Sequence, residues 1–287
     1  MKWFFFKILL LALTIYYVPK FCYDKTEGFA LTKIHSDLPY NSEWEVECGP
    51  LPNAFDQKFT YLAAGGQAYA FVSEDGTYVL KFFKHHLRRL PFLVKMLPLP
   101  SNLAEKREDQ RERRQKKLER DFCSYKLAFE NLPNETKLLF VHLNKTDWIH
   151  KNARIVDKLG IEHKVDLDGV EFVLQKRATL ALPYLTSLIE EQKIDAAKSC
   201  INSICELIRT RCKKGIYDED PRIHRNVGFI DGKAILIDVG RLKFDPRRED
   251  PNIQQEDLIK ITRPLKAFLR ENSPELALYL EEKLYNP

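Results

Sequence analysis

The sequence predicts an α+β protein behind a hydrophobic N-terminal helix. Three observations lead there. Residues Trp3 to Val18 read WFFFKILLLALTIYYV, an apolar run broken only by Lys7 and Thr14. Residues 59 to 83 alternate short β-rich runs with small or turn-forming residues, the texture of antiparallel strands. From residue 103 onward, long stretches place apolar residues at helical spacing, with short strands between them. Composition bounds the rest. With 287 residues, 44% hydrophobic and 30% charged, the chain can bury one large core or two smaller ones. A net charge of +5, from 46 Lys and Arg against 41 Asp and Glu, argues against a nucleic-acid-coating protein. Only 11 Gly and 15 Pro exclude collagen-like and low-complexity chains. The absence of a 20–50-residue repeat sets solenoids and propellers aside.

Taken in order, the first apolar run is flanked by Lys2 and by Pro19-Lys20. About 20 residues cross a 30 Å hydrocarbon core, so this run spans it with some tilt and with Lys7 snorkelling. A cleaved signal peptide and a buried helix are the alternatives, although no small-x-small pattern follows Val18. Residues 1–19 are therefore read as a membrane anchor or signal segment. The chain is expected to be membrane-associated and single-pass, an exported protein being the other case. Lysines on both flanks leave the orientation open. Residues 20–57, polar and punctuated by Pro39, Pro50 and Pro52, read as a linker.

Strands follow at Phe59–Leu62, Ala68–Val72 and Thr77–Phe83. The small-residue loop Ala63-Ala64-Gly65-Gly66-Gln67 joins the first two, and Ser73-Glu74-Asp75-Gly76 forms a hairpin turn with Asp-Gly supplying positive φ. Lys84 to Lys95, where cations alternate with Leu, Phe and Val, is a membrane-surface candidate. Residues 103–130 carry both charge signs and no Pro or Gly, which predicts a long helix that turns amphipathic at Phe122, Tyr125, Leu127 and Phe129. Nine Lys or Arg against six Asp or Glu over 103–126 favour a salt-bridged face over a nucleic-acid surface. Leu138–Leu143 and Glu171–Gln175 are short strands, and Asp195–Cys212 is a helix by the spacing of Ala197, Ile201, Ile204 and Ile208. A hairpin at Val227–Ile237 and helices near 254–271 and 274–284 complete the chain. The six cysteines form no C-x-x-C pair, and three lie on the 195–212 helix as small buried hydrophobes. Asn134-Glu135-Thr136 and Asn144-Lys145-Thr146 fit the glycosylation triplet.

Several residues fit phosphoryl transfer. That chemistry needs a backbone cradle for phosphates, a lysine, and oxygen ligands for magnesium. The turn containing Gly65, Gly66 and Gln67 lets main-chain N–H groups approach a phosphate closely. Lys81 stands in an apolar strand, where a cation needs a carboxylate or ligand unless the strand is an exposed edge. Asp238 follows the apolar strand 234–237 with Gly240 two residues on, a place for a metal ligand or for a simple turn cap. Asn226 opens the same hairpin from its other end.

At these residues the sequence resembles the protein-kinase-like superfamily, over roughly 58–243. Leu62–Ala70 is similar to the family's glycine-rich loop, with Gly65 at the middle glycine and Ala63 and Ala68 at the outer ones. Lys81 takes the place of the third-strand lysine, and Gln175-Lys176-Arg177 resembles the hinge. Gly215 to Asp220 resembles the approach to the catalytic loop, with Asp218 and Glu219 in place of the usual His and Arg. Asp220 stands at the catalytic aspartate, and Asn226 at the metal-binding asparagine, six positions on where the family has five. Asp238-Val239-Gly240 resembles the magnesium motif Asp-Phe-Gly.

The resemblance implies a bilobal kinase-like fold. The N-lobe would cover 58–175 with a basic helical insertion, and a reduced helical C-lobe 176–287, since 47 residues follow Gly240 without an Ala-Pro-Glu-like segment. It implies ATP and Mg²⁺ as cofactors. Lys81 and Asp220 would be catalytic, and Asn226 and Asp238 would hold the metal. Gly65, Gly66, Gln67, Lys81, Glu119 and Gln175 would meet the nucleotide. Glu119 is the expected partner of Lys81, with Asp121 and Glu112 as alternatives. The expected partners are a membrane through the N-terminal segment, a nucleotide, and a protein or small-molecule phosphate acceptor of unassigned identity. A pseudokinase that binds nucleotide or scaffolds other proteins is the competing reading, because the outer glycines and the His-Arg pair are replaced.

Overall fold

The computed structural model describes residues 2–85 and 101–285. It is α+β, with the apolar helix first and helices dominating the C-terminal region. Helix α1 spans Lys2–Thr26 and runs through Pro19, which removes one backbone donor without ending it. The helix is thus longer than the anchor read at 1–19. Among the described residues it is the one helix long and apolar enough to cross a membrane, over Phe6–Thr26, and none of that window is buried.

Strands β1 (Lys58–Ala64), β2 (Ala68–Ser73), β3 (Tyr78–Phe83), β4 (Leu138–His142), β5 (Asn152–Val156), β6 (Glu162–Asp166) and β7 (Phe172–Lys176) form a seven-stranded sheet in the order β4-β7-β3-β2-β1-β5-β6. All but the β1–β5 pair among the registers 1–2, 2–3, 1–5 and 5–6 are antiparallel. Strands β5 and β6 escaped the sequence reading. Strand β6 reads Glu-His-Lys-Val-Asp, and a sheet edge carries such charges as protection against further pairing. The turn after β2 also differs from expectation: Gly76 alone takes positive φ, at 72°, while the Asp75 carboxylate accepts from Ser73 Oγ and Thr77 N. Helix α2 spans Ser101–Asn131, α3 Ala181–Glu190, α4 Ile194–Lys213, α5 Pro251–Asn272 and α6 Pro274–Tyr285. Short strands β8 (Thr179–Leu180), β9 (Ile216–Asp218), β10 (Val227–Ile230), β11 (Lys233–Leu236) and β12 (Leu242–Phe244) lie between them.

The chain divides into two compact units, residues 1–114 with 142–174 and residues 115–141 with 175–287. The expected boundaries at 57/58 and 175/176 therefore shift: 1–57 joins the first unit and 115–141 the second. Residues 27–57 are not a linker, because Phe29, Ile34, Trp44 and Phe55 are buried. A proline-rich stretch still docks when it offers a large apolar side chain every few residues. Phe55 packs edge-on to Phe172, and Phe71 against Phe82, so the first unit has an aromatic core. In the second unit, Ala197, Ile201, Ile204 and Ile208 of α4 are buried at the expected spacing, together with Leu258 and Leu265 of α5 and Leu276 and Leu280 of α6. Cys200, Cys205 and Cys212 are buried on the same helix. The second glycosylation triplet is overturned, since Asn144 is buried with its amide bonded to Asn41, whereas Asn134 of the first is exposed. The basic stretch after His85 lies outside the described residues.

One buried polar group in the first unit has a pH consequence. Glu171 is buried, with His85 Nε2 2.9 Å from one carboxylate oxygen and Ser36 Oγ donating to the other at 2.5 Å. Burial pushes its pKa up, but the imidazole and the hydroxyl outweigh it and leave Glu171 below the ordinary 4.5. A carboxylate depressed on folding contributes stability above its unfolded pKa and loses it as pH falls through the folded one. The wild-type Tm should therefore fall more steeply below about pH 4.5 than that of Glu171→Gln. Thermal melts of both proteins from pH 7 to 3 check this; parallel curves would remove Glu171 as the source.

Candidate functional site

The residues that carry the resemblance to kinases lie in two groups, one in each unit. In the first unit, the loop between β1 and β2 is a tight turn with Gly65 N donating to Ala68 O at 2.9 Å. A β-bulge at Leu62 precedes it, between the Tyr61–Phe71 and Ala63–Ala70 pairs. A Cβ added at Gly66 would meet nothing within 4 Å, so the side of the loop a phosphate would approach is open. Lys84, which the sequence reading placed only in a basic stretch, caps the turn: its Nζ donates to Gly65 O at 2.6 Å and lies 4.5 Å from the Tyr69 ring centroid. Lys81 sits opposite Ala70 and is buried. Its strand lies between β2 and β7, which overturns the exposed-edge alternative.

In the second unit, α4 ends at Lys213 and Gly215 takes φ +64° to turn the chain into β9. A Cβ there would meet Glu249 Oε1 at 2.9 Å and Phe244 Cε2 at 3.0 Å, so conformation and space both call for glycine. Strand β9 pairs with β12, Asp218 opposite Leu242, and Glu219 N donates to Arg241 O at 3.1 Å. This register lays Asp218-Glu219-Asp220 alongside the segment that follows Asp238.

Asp218 is buried and accepts from Arg211 Nη1 at 3.1 Å and from Asp220 N at 2.8 Å. Burial raises its pKa against the pull of Arg211, and the charges of Asp220 and Asp238 push the same way. Asn226 ends a single helical turn, Ile223–Asn226, and its Nδ2 donates to Asp220 O at 2.6 Å. Asp238 is exposed, with Oδ1 accepting from Gly240 N at 3.1 Å. Ser124 of α2 holds the turn after it: its hydroxyl donates to Val239 O and accepts from Leu242 N at 2.6 Å.

Asp220 and Asn226 are linked through the Nδ2 bond, and Ile237 N, next to Asp238, donates to Asn226 O at 2.8 Å; Arg211, Arg222 and Ser124 are additions to the residues read from the sequence. Both oxygens of Asp220 are taken by Arg222, whose Nη2 lies at 2.5 Å, and Arg241 Nη1 stands 3.9 Å away. The Arg222 guanidinium holds Asp220 below the usual aspartate range, against the smaller effect of burial. Arg222 was within reach of sequence reasoning, two positions after Asp220, whereas Arg211 is hidden in an apolar helix. Among the carboxylates of α2, Glu119 is half-exposed and bonded to Gln115, Glu112 is exposed, and Asp121 is fully buried. Asp121 is thus the carboxylate the interior holds, because Glu119 lies on the polar side of the helix. Gln175 is buried, and its Nε2 donates to Thr136 O at 2.6 Å and Leu236 O at 2.9 Å. Its side chain ties backbone together.

Asn226 and Asp238 offer hard oxygen donors, which suit magnesium. Among the described residues no three His, Cys, Asp or Glu side chains form a metal cluster. Magnesium fits such a sparse protein set, since phosphate oxygens and waters complete its shell.

No family model matches the sequence, and no curated protein does. Among solved structures, the chain is similar to the bifunctional kinase-methyltransferase WbdD, with a TM-score of 0.36 and 16% identity over 77% of this chain and 43% of that one. A co-crystal of WbdD with the kinase inhibitor LY294002 gives 0.34 and 16% over 79% and 46%. The complex of Rv3197 with erythromycin, from Mycobacterium tuberculosis, gives 0.33 and 12% over 91% and 58%. The chain spans less than half of the WbdD chains it matches. With TM-scores below 0.5, these likenesses add nothing to the site's chemistry, which rests on its own geometry.

The clamp on Asp220 gives a direct test. Arg222→Ala removes the largest cause of the depressed pKa, so Asp220 should titrate nearer the ordinary aspartate value of about 3.9. Carboxyl ¹³C NMR titration of wild type and variant reads the change. Identical curves would show that the guanidinium does not act on Asp220.

Proposed function

We propose that the chain is a membrane-associated, ATP- and Mg²⁺-dependent phosphotransferase of the protein-kinase-like kind. The observation that carries this reading is the gathering of Asp220, Asn226 and Asp238 around the β9–β12 pair, each on a backbone held by its own hydrogen bonds. Asn226 and Asp238 would hold magnesium, and bound magnesium supplies charge neutralisation to the phosphates. Asn226 is oriented for this by its bond to Asp220 O, which leaves the amide oxygen as the ligand atom. Asp220 receives the proton of the acceptor hydroxyl or orients that hydroxyl. Lys81 and the Gly65–Gln67 turn are given the nucleotide phosphates, the open side of Gly66 supporting the second. The carboxylate role first given to Glu119 passes to Asp121, the buried one of the three. The Gln175 side chain is occupied, so only the backbone of that stretch is offered to the base. The acceptor is a protein or a small molecule, and α1 supplies the association with membrane.

A second reading is favoured by the Arg222 clamp. With both oxygens of Asp220 engaged, the chain would bind nucleotide as a module without transferring phosphate. The readings separate by mutation. Asp238→Asn should weaken magnesium-nucleotide binding, because it removes a full charge beside a divalent ion. Asp220→Asn should leave binding nearly intact and lower turnover by roughly 10²–10⁴-fold. Calorimetry with Mg-ATP and a phosphate-transfer or hydrolysis assay on the full chain measure both. Binding without turnover above the Asp220→Asn background would leave the binding module standing and end the enzyme reading.

A further inference from the structure

Helix α1 enters the first unit with no spacer, and the place where it enters is the β1–β2 hairpin. The helix closes on two consecutive left-handed residues, Glu27 at φ 48° and Gly28 at φ 76°. Each is fastened at once. The Glu27 carboxylate accepts from Tyr61 OH at 2.9 Å and from Lys158 Nζ at 2.5 Å. The Gly28 carbonyl accepts from Tyr69 OH at 2.6 Å and from Lys33 Nζ at 2.5 Å. Tyr23, on the last turn of α1, lies over Gly28 closely enough that a Cβ there would meet its ring at 3.0 Å. Phe29 is then buried among Tyr69, Phe71 and Tyr61, with ring centroids at 5.2, 5.3 and 6.3 Å. Tyr61 and Tyr69 flank the Gly65–Gln67 tip on its two strands. The helix end and the hairpin tip are therefore one rigid piece.

Length sets where that piece stands if α1 spans a bilayer. Counting 20 residues from Trp3 ends the span at Cys22, and at 1.5 Å per residue Thr26 lies only about 6 Å beyond it. Counting from Phe6 places Thr26 at the hydrocarbon boundary itself. Counted from Phe6, Glu27 and Gly28 fall within the headgroup layer, roughly 5–7 Å deep on each side; counted from Trp3, they stand at its outer edge, about 7.5 and 9 Å out. The side chains near this level suit an interface: Phe21 and Tyr23 are exposed aromatics, and Lys20 and Lys25 are exposed cations. Lys33 and Lys84 add two cations bound to carbonyls, on Gly28 and Gly65. The acids in the neighbourhood are Glu27, paired with Lys158, and the exposed Asp24.

We infer that the junction of α1 with the β1–β2 hairpin, with Lys20 and Lys25 on the helix and Lys33 and Lys84 on the Gly28 and Gly65 carbonyls, is a docking surface for anionic lipid headgroups. The inference rests on the membrane reading of α1 and is independent of the phosphotransfer chemistry. Cations near an anionic leaflet favour it over a neutral one, and the four outnumber the one exposed acid, Asp24.

The test uses the full chain in vesicles of phosphatidylcholine alone or with 30% phosphatidylglycerol, with a nitroxide on a fraction of the headgroups. Cys22, Cys48 and Cys123 are replaced by Ser, and a fluorophore is placed at Leu62→Cys or at Glu74→Cys. Leu62 is exposed in the bulge three residues before Gly65, and Glu74 is exposed beyond the far end of β2, where its N–H meets Lys58 O, about 13 Å from Leu62 by strand rise. Leu62 should be quenched several-fold more than Glu74, and more strongly in the anionic vesicles. A 12-residue Gly-Ser insertion between Thr26 and Glu27 leaves the Glu27 carboxylate and Gly28 carbonyl contacts in place and releases Gly28 from Tyr23 and Thr26. It should lower quenching at Leu62 to the Glu74 level in neutral vesicles. Flotation with the vesicles but equal, weak quenching at both positions would overturn the docking surface and leave the anchor standing. Strong quenching at Leu62 without dependence on phosphatidylglycerol would overturn the anionic preference. A chain that does not float with the vesicles would overturn the anchor and this surface together.

Discussion

The candidate site depends on one buried carboxylate. Asp218 is sealed in the second unit, where an ionised side chain is tolerated only with a charged partner and further hydrogen bonds. Arg211 is that partner, reaching across the Gly215 turn from the last turns of α4. The second oxygen of Asp218 then receives the Asp220 N–H. Asp220 in turn offers its carbonyl to the Asn226 side chain, and the β9–β12 register aligns this strand with the chain after Asp238. Removing either partner would leave the other charge buried without compensation, and the loop would lose the anchor that orders Asp220 and Asn226. Ser124 does the corresponding work from α2, with one hydroxyl serving two backbone groups of the Asp238–Leu242 turn.

The electrostatics of the loop follow from gathering carboxylates in one place. Asp218, Asp220 and Asp238 repel one another's charge, and the second unit answers with Arg211, Arg222 and Arg241. Arg222 takes both oxygens of Asp220, and that engagement opposes Asp220 acting on a hydroxyl. The same guanidinium is also close enough to Asp238 to feel its charge. A divalent ion and a nucleotide would change the charge balance around Arg222 more than around the sealed Arg211. Arg222 is exposed and Arg211 buried, so the first is open to a change in its surroundings and the second belongs to the architecture.

The first unit is built around a different constraint, the junction of helix and sheet. Left-handed backbone at Glu27 and Gly28 turns the chain sharply, and the tyrosine hydroxyls of β1 and β2 satisfy the polar groups exposed there. Phe29 then contributes to the aromatic core, so residues that look like a linker serve as its lid. Proximity of the Gly65–Gln67 turn to α1 is a property of this junction.

Local pattern by itself determined the periodic elements: α1, the three strands around Lys81, the long charged α2, α4, and the two C-terminal helices. Their apolar spacing is strong, and period specifies an element without reference to anything distant. It also determined the order of Lys81, Asp220, Asn226 and Asp238 along the chain, and the turn chemistry that presents the last two. Tertiary structure decided what depends on contacts between separated segments. The polar strands β5 and β6 exist because the sheet offers them an edge, and residues 27–57 pack because the aromatic core accepts Phe29, Trp44 and Phe55. Asp121 is the buried carboxylate of α2 and Glu119 is not, since helix rotation is set by what covers its faces. The engagement of Asp220 by Arg222 and of Asp218 by Arg211 likewise has no local signature. A charge in a sequence carries its sign but not its partner, and only the fold fixes the distance at which two charges meet.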